Sequence, residues 1–128
     1  PNGFIDMPGG MSKFTIRYDE STKQFLAFVN NNTDSSYPNQ RNLLSMYSSE
    51  DLENWNQCKV LLEDDQNLEY SDSMMQTGFQ YVDWQFDGDD IIYLVRTAYN
   101  GAHNFHDANY MTFHKLCNYR EFLNNKQI

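Results

Sequence analysis

Positive charge is scarce in this sequence. Nine Lys and Arg stand against eighteen Asp and Glu, a formal net charge of −9 over 128 residues. A duplex or an anionic membrane surface is held by a basic footprint, so nucleic acid and membrane are not expected as partners. Cysteine is nearly absent. Cys58 and Cys117 allow one disulfide at most and form no Cys-x-x-Cys pair. Thiol-based metal and redox chemistry therefore has no support, and each cysteine, lying in a strand-like run, reads as a buried thiol. Glycine is sparse, and Gly9-Gly10 lacks the Lys-Ser/Thr that a phosphate loop requires. No apolar run is long enough to cross a bilayer, and no signal-peptide pattern is present. No long amphipathic helix is legible. The chain begins at Pro1 and not Met, which suits a processed or truncated chain.

Aromatic rings are plentiful, at 16% of residues: nine Tyr, nine Phe and two Trp. That share argues against disorder and for strands. Ring faces also stack on sugars, although for any one ring the sheet core is the first reading. The periodicity is two, as in Lys13–Tyr18. Further strands are expected at Gln24–Val29, Asn42–Ser48 and Gln57–Leu62. A polar connection then runs from Glu63 to Gln76, and strands follow at Phe79–Phe86, Ile91–Ala98 and Asn109–Leu116. Asp87-Gly88-Asp89-Asp90 is a hairpin turn. Tyr119–Ile128 reads as a polar tail with at most a short helical turn. Asn31-Asn32-Thr33 matches a glycosylation sequon.

These runs predict an all-β chain of about two antiparallel blades, four plus three strands, of a β-propeller. The whole chain, 1–128, is then a single partial propeller unit. One blade covers about 12–62, an incomplete last blade about 78–117, and a tail 118–128. A small seven-stranded sandwich is the rival. Faces and edges that missing blades would cover are expected to favour self-association.

Ser49-Glu50-Asp51-Leu52-Glu53-Asn54-Trp55 falls between the third and fourth strands. Its Ser and Asp can cap backbone N–H groups, and its Trp can anchor the turn. The stretch resembles the Ser-x-Asp-Leu-x-x-Trp turn of propeller glycosidases, a relative of the sialidase Asp-box without its Gly. It marks a fold and not a reaction. Three further stretches are similar to bacterial proteins of the sialidase-like superfamily that carry an exo-sialidase label. They are Phe4–Gly10 with Lys13–Asp19, Gly78–Phe86, and Arg96–Tyr99 with Gly101–Tyr110. The resemblance covers most of Phe4 to Arg120. It implies the C-terminal part of a longer secreted or periplasmic glycoside hydrolase, inactive as this fragment, with the remaining blades and a glycan as partners and no cofactor. A non-catalytic carbohydrate-binding or scaffold propeller is the alternative.

The densest polar cluster is His103, Asn104, His106, Asp107, Asn109 and Tyr110. Three readings stay open: a sugar-binding or catalytic loop, a metal site built from two His and an Asp, and a loop that satisfies its own backbone. Propeller topology would bring this loop beside Gln80 and Tyr81, with Arg96 reaching the same face and Asp83 near the central axis. Arg17 would lie on the opposite face. Glycoside hydrolysis needs two carboxylates, or a Tyr nucleophile in sialidases. Asp83, Asp107 and His106 are accordingly the catalytic candidates. Arg96, Tyr81, Trp84, Tyr99, His103, Asn104, Asn109 and Tyr110 are the substrate-binding candidates. Arg96 is the arginine best placed to bind a substrate carboxylate through its planar fork.

Overall fold

The computed structural model describes residues 3–123. Two antiparallel sheets make up the fold. The first runs β1 (Ile16–Asp19), β2 (Gln24–Asn30), β3 (Leu43–Ser49) and β4 (Asn56–Glu63), paired in that order. The second runs β5 (Gly78–Asp87), β6 (Asp90–Ala98) and β7 (Tyr110–Leu116). Each sheet is a meander, as the period-2 runs and polar turns require. Among the described residues two short helices accompany the sheets: α1 (Tyr70–Gln76) between them and α2 (Arg120–Leu123) after β7. Among the described residues no helix is long and apolar enough to cross a membrane.

The structure departs from the expected boundaries in three places. β1 opens at Ile16, opposite Ala27, and not at Lys13. The Thr15 carbonyl instead accepts the Trp84 indole N–H at 3.1 Å, so the chain before Ile16 turns toward the second sheet. The 63–76 connection contains α1, whose seven residues are too few to show a helical period. The helix is tied down by Asp64, which accepts from Ser73 Oγ at 2.5 Å and Thr77 Oγ1 at 3.1 Å. The tail is less polar than expected. Tyr119 and Leu123 are each 1% exposed and belong to the core, while the remainder of the predicted tail, 124–128, lies outside the described residues.

The core lies between the sheets. Phe28 of β2 stacks on Trp84 of β5 at 4.9 Å, with the ring planes nearly parallel. Tyr93 meets Phe28 edge-on at 5.2 Å, and Phe86 meets Trp84 edge-on at 5.3 Å. Trp84 is 1% exposed, so this ring, expected to stack on sugar, is a core residue instead. Side chains of the first sheet also occupy the open edge of β5. Asn30 Nδ2 donates to the Phe79 carbonyl at 2.8 Å, and Arg17 Nε donates to the Trp84 carbonyl at 2.7 Å. Arg17 thus bridges the sheets, against the expectation that it faces away.

The 49–55 turn is built as its residues suggest. Ser49 Oγ accepts from the N–H groups of Asp51 and Leu52, and Asp51 Oδ1 accepts from those of Glu53 and Asn54. These bonds hold the Asp51 carboxyl far below the usual carboxylate range, with the Asn54 N–H the largest cause. The Trp55 indole closes the turn on the Leu52 carbonyl at 3.0 Å. The acceptor Asn of the sequon is buried, although Asn32 and Thr33 are exposed: Asn31 spends its amide on Tyr47 at 3.0 Å and Gln57 at 2.8 Å. Cys58 is half-buried against Ser48, whereas Cys117 is exposed and so departs from the buried thiol expected.

Asp19 joins the two ends of the chain. Its carboxylate accepts from Ser21, from Thr22 and, across 100 residues, from the Tyr119 hydroxyl at 2.9 Å. Burial pushes the Asp19 pKa up, but the bonds from Thr22, Ser21 and Tyr119 outweigh it and hold it below the ordinary 3.8. A depressed carboxylate stabilises the fold above its ordinary pKa, and that contribution is lost as pH falls through the folded value. Urea unfolding should therefore show stability falling below about pH 3.8. Tyr119→Phe should cost about 1.5–3 kcal/mol at pH 7, the range for a hydrogen bond to a charged group. It should also flatten part of the acid dependence. An unchanged urea midpoint would mean that this bond contributes nothing.

Candidate functional site

The site begins with an irregularity in β5. Gln80 pairs with Arg96, but the next partners are Asp83 and Leu94. Tyr81 and Val82 together face Val95, a β-bulge of the sort that re-aims a side chain. Tyr81 has φ +50°, in the left-handed region that a bulky residue enters at a cost. The bulge leaves Gln80 buried at 1% exposed and turns the Tyr81 ring toward solvent.

Three cations converge on that ring. The Arg96 guanidinium lies 5.3 Å from its centroid, the Lys13 ammonium 5.5 Å and the Arg41 guanidinium 5.8 Å. His106 approaches edge-on at 6.0 Å, with Nε2 3.4 Å from the Tyr81 hydroxyl. Arg41 is only 9% exposed; it donates from Nη1 to Gln80 Oε1, and its Nε has no hydrogen-bond partner among the described residues. Beside Tyr81 opens a cleft of about 340 Å³ lined by Lys13, Phe14, Thr15, Tyr81, Val82 and Asp83.

Gln80 holds the arrangement together. Its Oε1 receives Arg41, and its Nε2 donates to the carbonyls of Phe105 at 2.7 Å and His106 at 3.2 Å. Arg96 Nη2 reaches the same His106 carbonyl at 3.5 Å. The 99–109 loop can come this close because residue 78 is glycine. A Cβ there would sit 2.6 Å from the Phe105 carbonyl oxygen. The loop is pinned on its far side by the Phe105 N–H, which donates to the Met75 carbonyl at 2.8 Å.

The structure thus brings Tyr81, Arg96 and His106 together, while Asp83 lies on the adjoining cleft, whose lining shares Tyr81 with that cluster but includes neither Arg96 nor His106. Asp83 is not on its floor: the side chain is 80% exposed and pairs with Arg17 at 3.4 Å. The other candidates are occupied locally. Asn104 accepts from the N–H groups of His106 and Asp107 and donates to the Asp107 carboxylate at 3.1 Å. Asn109 closes the loop base on the Tyr99 N–H and carbonyl. The Tyr99 hydroxyl bonds to Asp65, which raises its pKa, and so turns toward the 63–76 connection. His103 and Tyr110 are exposed. The third histidine, His114, is separate, stacked on Tyr93 at 5.0 Å. Among the described residues no group of three or more His, Cys, Asp or Glu could hold a metal, so the His103–His106–Asp107 ligand set is not assembled.

Lys13 and Arg41 were not legible as site residues. Both reach Tyr81 from segments that lead into strands of the other sheet, and local pattern carries no record of such long-range contacts. No family model, curated protein or solved structure matches the chain.

If Gln80 is the hub of the site, Gln80→Leu should leave the Arg41 guanidinium and two carbonyls without their partner. The expected loss is about 1–3 kcal/mol of stability, the cost of stranding a buried polar group. Amide exchange in the 103–107 segment should quicken while that of β2 and β3 stays slow. Equal acceleration everywhere would remove Gln80's specific hold on the loop.

Proposed function

We propose that this chain is part of a secreted or periplasmic, sialidase-like β-propeller protein of bacterial type, and that it acts on glycans as a glycoside hydrolase through the Tyr81 cleft. The two meander sheets are its adjacent blades in this reading. The observation that carries the proposal is the convergence of Lys13, Arg41 and Arg96 on one aromatic ring in a protein of net charge −9. Cations gathered against the overall field make a site for an anion. Two of them are guanidinium groups, whose planar forks match a carboxylate. A sugar carrying a carboxylate is the substrate class that fits.

The chemistry divides among few groups. Arg96, Arg41 and Lys13 fix the acidic group of the sugar. The Tyr81 phenol stands over the cleft as nucleophile or stacking face, and His106, at hydrogen-bonding reach of its hydroxyl, moves the proton. Asp83, on the cleft wall, is the carboxylate available to the leaving group or to water. Asp107 and Asn104 shape the loop that carries His106. Those purely local bonds also favour a second reading, a glycan-binding propeller without catalysis, in which the same cations recognise the same sugar.

Calorimetric titration separates these readings from a loop that only satisfies its own backbone. N-acetylneuraminate or glucuronate should bind, and galactose should bind at least tenfold more weakly. Arg96→Ala should weaken the acidic sugar about tenfold or more, in line with the loss of one charge-assisted bond. Added salt should weaken it further. Binding with no release of a fluorogenic glycoside by the parent protein would select the non-catalytic reading. Equal response to acidic and neutral sugars, or indifference to Arg96→Ala, would remove the cleft as a glycan site.

A further inference from the structure

Each sheet has two edge strands, and three of the four edges are managed in ways familiar from other β proteins. β1 is only four residues long. β4 is bulged against β3, and its Lys59 packs under the Phe122 ring of the α2 segment at 5.0 Å. β5 has its open edge taken up by Asn30, Arg17 and the Arg41 carbonyl, which accepts from the Phe79 N–H at 2.8 Å. β7 has none of these devices. It runs seven residues without proline and pairs with β6 in unbroken register. Among the described residues no hydrogen bond from outside its own sheet reaches it.

The face of the sheet next to that edge exposes three apolar side chains beside Asp83, Gln85, Arg96 and Lys115. Leu94, Met111 and Phe113 are 44%, 65% and 63% exposed. Leu94 and Phe113 are cross-strand partners and help line a hollow of about 130 Å³ with Ile92 and Trp84. Charge singles out the same strand. β1 carries Asp19, β4 carries Glu63, and β5 carries Asp83 and Asp87; β7, Tyr-Met-Thr-Phe-His-Lys-Leu, has no carboxylate. In a chain of net charge −9, this is the edge at which a second copy meets least repulsion.

We propose that β7 is a homodimer edge, pairing antiparallel with β7 of a second copy about a twofold axis at Phe113. This is an isologous contact, so the strand must complement itself. It does. Phe113 meets Phe113, Thr112 meets His114, Met111 meets Lys115, and Tyr110 meets Leu116. No charge faces its like. Lys115 is already paired with Asp90 at 3.7 Å, so it brings little free charge to the seam. Two three-stranded sheets then become one of six strands. The exposed row of Leu94, Met111 and Phe113 runs across the junction and is joined there by its copy.

The register makes the idea testable on the 128-residue chain as it stands. Sedimentation velocity should show the mass doubling with concentration through the micromolar range. Raised salt should favour the dimer by screening the net charges. Phe113→Lys puts two lysines opposite each other, and Met111→Lys puts each new lysine opposite Lys115. Each should weaken the dimer at least tenfold with the circular dichroism unchanged, since both positions are exposed in the single chain. In a Cys117→Ser background, Phe113→Cys should crosslink on mild oxidation. Native Cys117 should not, because an axis at Phe113 sets the two Cys117 residues eight positions apart, roughly 27 Å along a strand. A disulfide needs Cα atoms within about 7 Å. A monomer at every concentration would overturn the proposal and leave the edge for a strand from elsewhere in the parent protein. So would a dimer indifferent to both lysine variants, or one crosslinked through Cys117.

Discussion

Two separate hydrogen-bond ladders must be held against each other, and the stack of Phe28 on Trp84 is where that happens. Backbone pairing joins the sheets at one point alone among the described residues, the bridge between Arg41 and Gly78. Everything else that passes between them is side-chain contact. Trp84 receives Phe28 on one face, the edge of Phe86, and the Arg17 guanidinium at 5.4 Å, and its N–H is satisfied by Thr15. A buried indole needs such a partner, and finding it on the first sheet makes Trp84 a fastener as well as core. The Tyr81 cluster lies just beyond this fastener, and its cations come from β6 (Arg96) and from the segments that lead into β1 and β3 (Lys13 and Arg41). The site therefore exists only while the sheets keep their relative position.

The scarcity of positive charge gives the cation cluster its meaning. Of the other cations, Arg120 pairs with Asp89 at 2.8 Å, Arg17 with Asp83 at 3.4 Å, and Lys115 with Asp90 at 3.7 Å. These are partly exposed pairs that contribute little to stability. Lys13, Arg41 and Arg96 instead share one ring and form no ion pair with an acid among the described residues. A cation over an aromatic face gains about 0.5–2 kcal/mol, depending on how dry the site is. Three like charges around one ring give part of that back in mutual repulsion. Under the function proposed above, an anion beside the ring would relieve that repulsion and keep the ring contacts, which a set of salt bridges would not offer.

Much of this was legible in the residues, and the remainder was not for identifiable reasons. The strands announced themselves by alternation and the turns by Asp, Asn and Gly, so the four-plus-three meander followed. The approach of the 99–109 loop to Gln80 and Tyr81 also followed, because strand order alone brings a β6–β7 loop beside the start of β5. Trp84 was misread because an aromatic on an alternating strand carries no mark of which side faces the core; the bulge at Tyr81 shifts that phase within the strand. The polar cluster at 103–110 attracted attention through composition. Asn and Asp earn that density mostly by bonding their own backbone in turns, as Asn104 does here. Arg41 was invisible in local pattern because its role depends on Gln80, 39 residues away.

The bulge is the clearest sign that the cleft is more than a by-product of packing. Among the described residues six non-glycine residues have positive φ, and five of them, Lys23, Leu52, Asn67, Asn100 and Asn118, sit in turns or loops where that conformation closes a bend. Tyr81 alone has it inside a strand. A bulge needing only backbone freedom would be served by glycine, which enters the left-handed region without strain, whereas a bulky side chain there costs about 1–2 kcal/mol. The chain accepts that cost at the one ring on which Lys13, Arg41, Arg96 and His106 meet. Strain retained at a position where the side chain, and not the backbone, makes the contacts points to a requirement for the side chain itself. Glycine would leave the sheets and the Gln80 hub in place but remove the ring and the hydroxyl. Those are the two features that turn four nearby basic groups into one site.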